Sequence, residues 1–561
     1  MASYITHLLC ILLLLLSTTL SQHSPPQSQF PPNRPLTAWT SLILAHHGER
    51  RPLLTHPTNP SLNPLGALQA HSSGSLMRRR YLTGPSAHNT SFVPLHGFHR
   101  NYIDNQRVHV LSAPEQPVVA SAWAFLQGLY PPVDAPAAVG GSPKAGGGGW
   151  LAPLGGYQYG RVETAGGGDW NHIWVAGSDR CGLHALSTAA QINSSEYINT
   201  TQTSEGFFKS LVPGVFAGVV PEMMVSYHNA PQLYEYAAYA TLHNSSVAAT
   251  LPAAALARLR ALAGMRGWGV HGVRRGSGGD SEEDGVLKPI AGRTFAERVL
   301  YLLSRATTSE RPGELNLLFS SSAPFVGFSA ISGLADHDAR FKGVVEPGSM
   351  MVFEVFSHTD PEAGRPGKED LWVRFLYRNG TAEGARLVGY PLFGRGRGKG
   401  DMQFEEFEKE MREVGKGVGE WCEVCGGGQV FCPTFLEGLE RGRKEEGKGK
   451  NGKNGGGDGG GGKKKKKGTT ALELGLGLGA AGFVVLLGVA VMVFCSRRQR
   501  RQRRREVKDK VDGWEMGDRG AKEEVGERSE ADYGDGGVRD GDEDEEGVEP
   551  MREPVRVEDR V

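Results

Sequence analysis

The residues best equipped for chemistry follow an apolar run near the N-terminal end. Ser41-Leu-Ile-Leu-Ala45 reads as a buried strand, and it ends in His46-His47-Gly48-Glu49-Arg50-Arg51-Pro52. A strand that presents His and Arg at its carboxyl end matches the place where open α/β sheets bind ligands. Imidazole offers a nucleophile or proton carrier and guanidinium a fork for oxygens, so the chemistry suggested is that of an oxyanion. Two other stretches combine acid and base. Asp336-His337-Asp338 falls in a polar Gly/Asp-rich stretch and reads as a loop. Asp179-Arg180 adjoins Cys181 and reads as a structural loop beside a disulfide.

Further segments must position the histidine pair. Leu62-Asn63-Pro64-Leu65-Gly66 makes a turn, and Gln69, Leu76, Arg78, Arg80 and Tyr81 belong to an amphipathic helix after it. Val108-His109-Val110-Leu111-Ser112 reads as a second core strand, with the helix Ser121-Ala-Trp-Ala-Phe-Leu-Gln-Gly-Leu-Tyr130 behind it. Leu315-Asn-Leu-Leu-Phe-Ser320 and Met350-Met-Val-Phe-Glu-Val355 are later strands.

Taken in order, these anchors resemble the histidine acid phosphatases, the acid phosphatase and phytase branch of the histidine phosphatase superfamily, whose signature is Arg-His-Gly-x-Arg-x-Pro. The resemblance covers most of residues 35–439. It implies an α/β three-layer sandwich with a smaller, mainly helical cap subdomain. It also implies that a histidine attacks phosphorus, arginines hold the non-bridging oxygens, and a late Asp protonates the leaving alcohol. His47 and Arg50 match the nucleophile and second-arginine positions, while His46 replaces the first arginine. Aligning Ser121-Ala122 with the family's Ser-Ala puts Pro117 at the third arginine, and aligning Leu318-Phe319-Ser320 puts Ser322 and Ala323 on the His-Asp pair. Four of six chemical positions have thus changed. A lost general acid typically costs about 10²- to 10⁴-fold in rate, and a lost oxyanion donor about 10²- to 10³-fold. The reading is a degenerate, pseudophosphatase-like member that retains phosphate or anion affinity. The alternatives are an active acid phosphatase that forms a phosphohistidine at His47, and a structural glycoprotein that uses neither anion nor substrate.

Composition narrows the remaining classes. Lys plus Arg (62) balances Asp plus Glu (62), which excludes a uniformly basic nucleic-acid binder. No metal or cofactor is expected. Cys422-x-x-Cys425 has half a zinc spacing, but one cysteine follows and no His lies in a ligand-like position, so Cys181, Cys422, Cys425 and Cys432 are read as two disulfides. Three pairings stay open.

The apolar segments set the topology. Residues 1–21 read as a signal peptide. Leu474 to Cys495 is uncharged and, at 22 residues, about 33 Å long as a helix, enough to span a bilayer. Seven arginines between Arg497 and Arg505 follow it and hold the C-terminus in the cytosol. Residues 440–468 form a Gly/Lys-rich flexible stalk and 496–561 a disordered tail, Arg-rich and then acidic. Asn89, Asn193, Asn199, Asn244 and Asn379 begin glycosylation sequons, all ahead of the span. The expectation is a single-pass type I membrane glycoprotein with its ectodomain extracellular or luminal.

Overall fold

In the computed structural model the described residues are 36–452, apart from 56–58, 85–91, 134–149, 274–282, 309–312, 361, 363, 365 and 397. The expected signal peptide, span and tail, and Asn89, lie outside them. Among the described residues no helix is long and apolar enough to cross a membrane.

The apolar run expected near residue 41 becomes β1 (Thr37–His46), buried along its whole length. After it come α1 (Pro64–Arg78), β2 (Val108–Ser112), α2 (Gln116–Leu129) and β3 (Val162–Thr164). Five further helices follow, α3 (Gly182–Gln191), α4 (Ser195–Leu211), α5 (Ala230–His243), α6 (Ala253–His271) and α7 (Ile290–Thr308). Next in the chain are β4 (Glu314–Ser320), α8 (Ala323–Ile331), β5 (Met350–Ser357), β6 (Trp372–Arg378), β7 (Val388–Gly389) and β8 (Asp401–Gln403). Three helices close it, α9 (Phe404–Val414), α10 (Val418–Cys425) and α11 (Cys432–Gly452).

The sheet order is β3-β2-β4-β1-β5-β6-β7, with β8 also paired to β6. β1, β2, β3 and β4 run parallel, whereas β5 is antiparallel to β1. Strands buried on both faces read as mainly apolar runs, and this is why β1, β4 and β5 stand out in the sequence. Helices cover both faces. Phe125 of α2 meets Phe319 edge-on on one side, and Phe295 of α7 and Phe328 of α8 meet Phe353 on the other. The fold is therefore mixed α/β around one central sheet. Residues of α4, α5 and α6 bury a second apolar cluster of their own, centred on Phe208, Phe216, Leu233 and Leu259.

A buried charge network fastens α1 to the sheet. Arg80 grips Glu354 of β5 through Nε and Nη2, and Tyr81 donates to the same carboxylate at 2.7 Å. Ser41 of β1 meets the Tyr81 hydroxyl at 2.9 Å. Although burial alone would push the Glu354 carboxyl up, the Arg80 charge and hydrogen bonds hold it below the usual carboxylate range.

The cysteines pair as Cys181–Cys425 and Cys422–Cys432, which settles which of the three pairings is formed. The expected stalk begins differently: α11 continues through Gly452, past the boundary at 439. An Arg443–Glu423 ion pair at 2.8 Å ties it to α10.

Candidate functional site

Parallel strands deliver their following loops to one edge of the sheet, and β1, β2 and β4 do so here. In the β1–β4 register His46 lies opposite Ser320, so the histidine pair and the segment Ser321-Ser322 leave the sheet side by side. Together with α5 and α6 they line a cavity of about 550 Å³. Its wall includes His46, His47, Glu49, Arg50, Glu115, Asp179, Tyr234, Glu235, Ser322 and Glu346.

The loop after β1 is held by backbone and side-chain contacts. Gly48 and Gly66 pass so close that a Cβ on Gly48 would lie 2.1 Å from the Gly66 carbonyl oxygen, and one on Gly66 would lie 2.0 Å from the Glu49 carbonyl oxygen. Both positions require glycine for this approach. The Gly48 amide donates to Ser121 Oγ at 3.0 Å, and that hydroxyl donates to the Pro117 carbonyl at 2.6 Å. The Glu49 amide donates to Gln69 Oε1 at 2.7 Å, while Asn63 caps α1 and donates to the Glu49 carboxylate at 2.6 Å.

His47 is 7% exposed. Its Nδ1–H donates to the Gly48 carbonyl at 2.7 Å, since a carbonyl can only accept. That leaves Nε2 with a lone pair and, among the described residues, no hydrogen bond. Burial, aided by the Arg50 charge, lowers the His47 pKa to about 4. His46 donates from Nδ1 to the Glu346 carbonyl at 3.1 Å, and burial together with His47 holds it well below the ordinary imidazole value. A histidine held that far down cannot stand in electrostatically for the arginine it replaces in the resemblance.

Arg50 is the guanidinium on the cavity wall, and it is already occupied. Its Nε donates to Glu235 of α5 at 2.7 Å. Two similar ties cross nearby, His243 to Glu49 at 2.7 Å and Arg260 to Glu346 at 2.6 Å.

Of the positions the resemblance pairs with changed groups, Ser322 lines the cavity and precedes α8, and Ala323 is the first residue of that helix. Pro117 is the second residue of α2, outside the cavity lining, and contributes its carbonyl to Ser121. None of the three brings a cation or a carboxyl. Asp336-His337 forms a short helical turn rather than a loop, outside the cavity lining, and Asp338 is held by Arg340 at 2.6 Å. Asp179 departs from its expected role. It does precede the Cys181–Cys425 disulfide, but it also lines the cavity. Its carboxyl is pushed above the usual range by burial, with Glu115 adding to the effect and the His172 and Arg180 charges opposing it.

Sequence reasoning missed Glu115, Glu235 and Glu346, because they arrive from a loop end, a helix face and a turn that share no spacing with the histidine pair. Among the described residues no group of three or more His, Cys, Asp or Glu could hold a metal. Of the sequons, Asn193, Asn199 and Asn244 are exposed, whereas Asn379 is half-buried and accepts from Ser349 Oγ at 3.1 Å and Tyr377 at 3.0 Å.

The solved structures this chain resembles include phytases and an inositol polyphosphate phosphatase. The Citrobacter braakii phytase matches at 13% identity and a TM-score of 0.43, over 70% of this chain and 100% of that one. The Klebsiella sp ASR1 phytase matches at 13% and 0.44, over 69% and 97%. The Bifidobacterium longum multiple inositol polyphosphate phosphatase matches at 10% and 0.34, over 64% and 92%. No family model matches the chain. No curated protein matches it either.

Proposed function

We propose that this chain is a histidine acid phosphatase-like protein, tethered to a membrane by residues 474–495, whose pocket retains phosphate affinity but hydrolyses phosphomonoesters very slowly. The observation that carries this reading is the arrangement around His47. Its imidazole is neutral and fixed at Nδ1, with Nε2 left open as attack on phosphorus requires. Among the described residues the clamp that attack needs is incomplete: Arg50 Nε is engaged by Glu235, burial holds His46 well below the ordinary imidazole value, and Pro117 and Ser322 offer no cation. A phosphoryl group gathering charge in the transition state meets one guanidinium where several are required. The ectodomain would face the extracellular or luminal side, which agrees with two disulfides and with sequons that all precede the span.

The test is turnover of an aryl phosphate by the full-length protein from pH 4 to 7, beside a His47→Ala control, with melting measured in orthophosphate and vanadate. Stabilisation by the anions with turnover at or near the control level is expected. One observation favours the active-phosphatase reading: the Asp179 carboxyl shares the cavity with His47 and is raised toward the range of a working acid. Clear turnover abolished by His47→Ala would establish that reading instead. No stabilisation by either anion would remove the phosphate site altogether.

A further inference from the structure

The cavity is electrically lopsided. Five carboxyl residues line it, Glu49, Glu115, Asp179, Glu235 and Glu346, against one guanidinium, Arg50, and two uncharged imidazoles. Among the described residues two of the five are matched by a guanidinium at 2.6 to 2.7 Å, Glu235 by Arg50 and Glu346 by Arg260, and Glu49 is hydrogen-bonded to His243 at 2.7 Å. The other two lack such a close match: Asp179 has His172 Nε2 at 3.9 Å and the more distant Arg180 charge, and Glu115 is exposed with no ion pair among the described residues.

The uncompensated pair has a definite place. Glu115 follows β2, and β2 is two strands away from β1 across β4. At about 4.8 Å per strand the two loops start roughly 10 Å apart. Asp179 comes from the segment after β3, on the same flank, and Glu115 is near enough to act on its carboxyl. The loop after β1 therefore carries His47, nine-tenths buried with Nε2 open, and Arg50, while the segments after β2 and β3 carry Glu115 and Asp179, and Ala113, Val118, Ala176 and Val326 lie among the residues lining the space.

We propose that the pocket selects a phosphomonoester that also carries an ammonium group, such as a phosphorylated amino alcohol, and rejects polyanions. The inference rests on the reading of the His47 and Arg50 end as a phosphate site. An anion arriving there shares Arg50 with Glu235, which already holds Nε, and brings more negative charge into a cavity lined by five carboxyl residues among those described. A ligand with its own positive charge offsets this, whereas a ring bearing many phosphates meets repulsion that a single arginine cannot balance.

Calorimetric titration of the full-length protein tests it with four probes: orthophosphate, phosphocholine, the uncharged isostere 3,3-dimethylbutyl phosphate, and inositol hexakisphosphate. The expected result is phosphocholine bound about tenfold more tightly than the isostere and more tightly than the hexakisphosphate. The Glu115→Gln/Asp179→Asn variant should abolish the tenfold preference and keep or improve orthophosphate affinity. The replacements are isosteric, and the two single variants, checked by melting temperature, guard against a folding defect. Orthophosphate binding with no preference for phosphocholine overturns the inference and leaves the phosphate site standing. Tighter binding of the hexakisphosphate also overturns it. A preference for phosphatidylcholine vesicles over phosphocholine overturns the monoester assignment. If neither orthophosphate nor phosphocholine binds, the phosphate site and this inference both fall.

Discussion

Replacing Glu235 by glutamine should tighten anion binding. In the ligand-free pocket its carboxylate holds Arg50 Nε at 2.7 Å, with the two side chains 28% and 20% exposed. Two unit charges about 4 Å apart attract by about 4 kcal/mol at an effective dielectric constant of 20, an upper bound. Desolvation and the entropy of fixing two long side chains reduce this, and exposed pairs retain at most about 1 kcal/mol. For this partly buried, charge-assisted pair about 1 to 2 kcal/mol is reasonable. An entering phosphate competes with Glu235 for Arg50, whose Nε is already held, so abolishing the competitor should lower the orthophosphate Kd by up to about 5- to 30-fold. Titration calorimetry of the wild-type protein and Glu235→Gln at low and at high salt measures this, and the gain should shrink with salt. An unchanged or weaker affinity in the variant at low salt would mean that Arg50 is not the anion-holding group, and the argument for this site would fail.

Four other outcomes follow from the same structure. Glu354→Gln leaves Arg80 buried beside an uncharged partner and should destabilise the protein by about 3 to 5 kcal/mol in urea unfolding. Loss of Cys181–Cys425 through a double serine variant should cost about 2 to 5 kcal/mol, read as a lower midpoint under non-reducing conditions. His271, stacked on His184 and lowered to about 3 by burial, His184 and Arg266, binds fewer protons in the native than in the unfolded state between that value and 6.5. Stability from this group is therefore complete above pH 6.5 and falls as the pH drops toward 3, by at most about 1.4 kcal/mol per pH unit; His271→Phe should flatten the acid limb of the melting curve. Any residual turnover through His47 should decline below about pH 4, because a proton on Nε2 removes the attacking lone pair.

How much of this was legible beforehand depends on what kind of signal each part carries. The strands β1, β2, β4 and β5 could be read because each carries a short, mainly apolar run that the sheet buries. Ser322 lies on the cavity wall, whereas Pro117 lies in the first turn of α2 and outside the lining. The short strands β3, β7 and β8 carry only two or three residues each, too few for a periodic signal. The electrostatics of the site were hidden for a different reason. Glu235 reaches Arg50 from 185 residues away and Glu346 meets His46 from 300 residues away, and no local pattern marks such meetings. The lowered His46 pKa was invisible as well, because it depends chiefly on burial, to which the charge of the adjacent His47 adds.

The two disulfides form a ladder with mechanical meaning. Cys432 opens α11, is bonded to Cys422 and so to α10, and Cys425 at the far end of α10 is bonded to Cys181, two residues from Asp179 on the cavity wall. Tension applied to the chain beyond Cys432 is thus borne by covalent links up to the rim of the pocket, so a pull on that part of the chain reaches that wall before α10 can peel from the domain, and reductant severs the line.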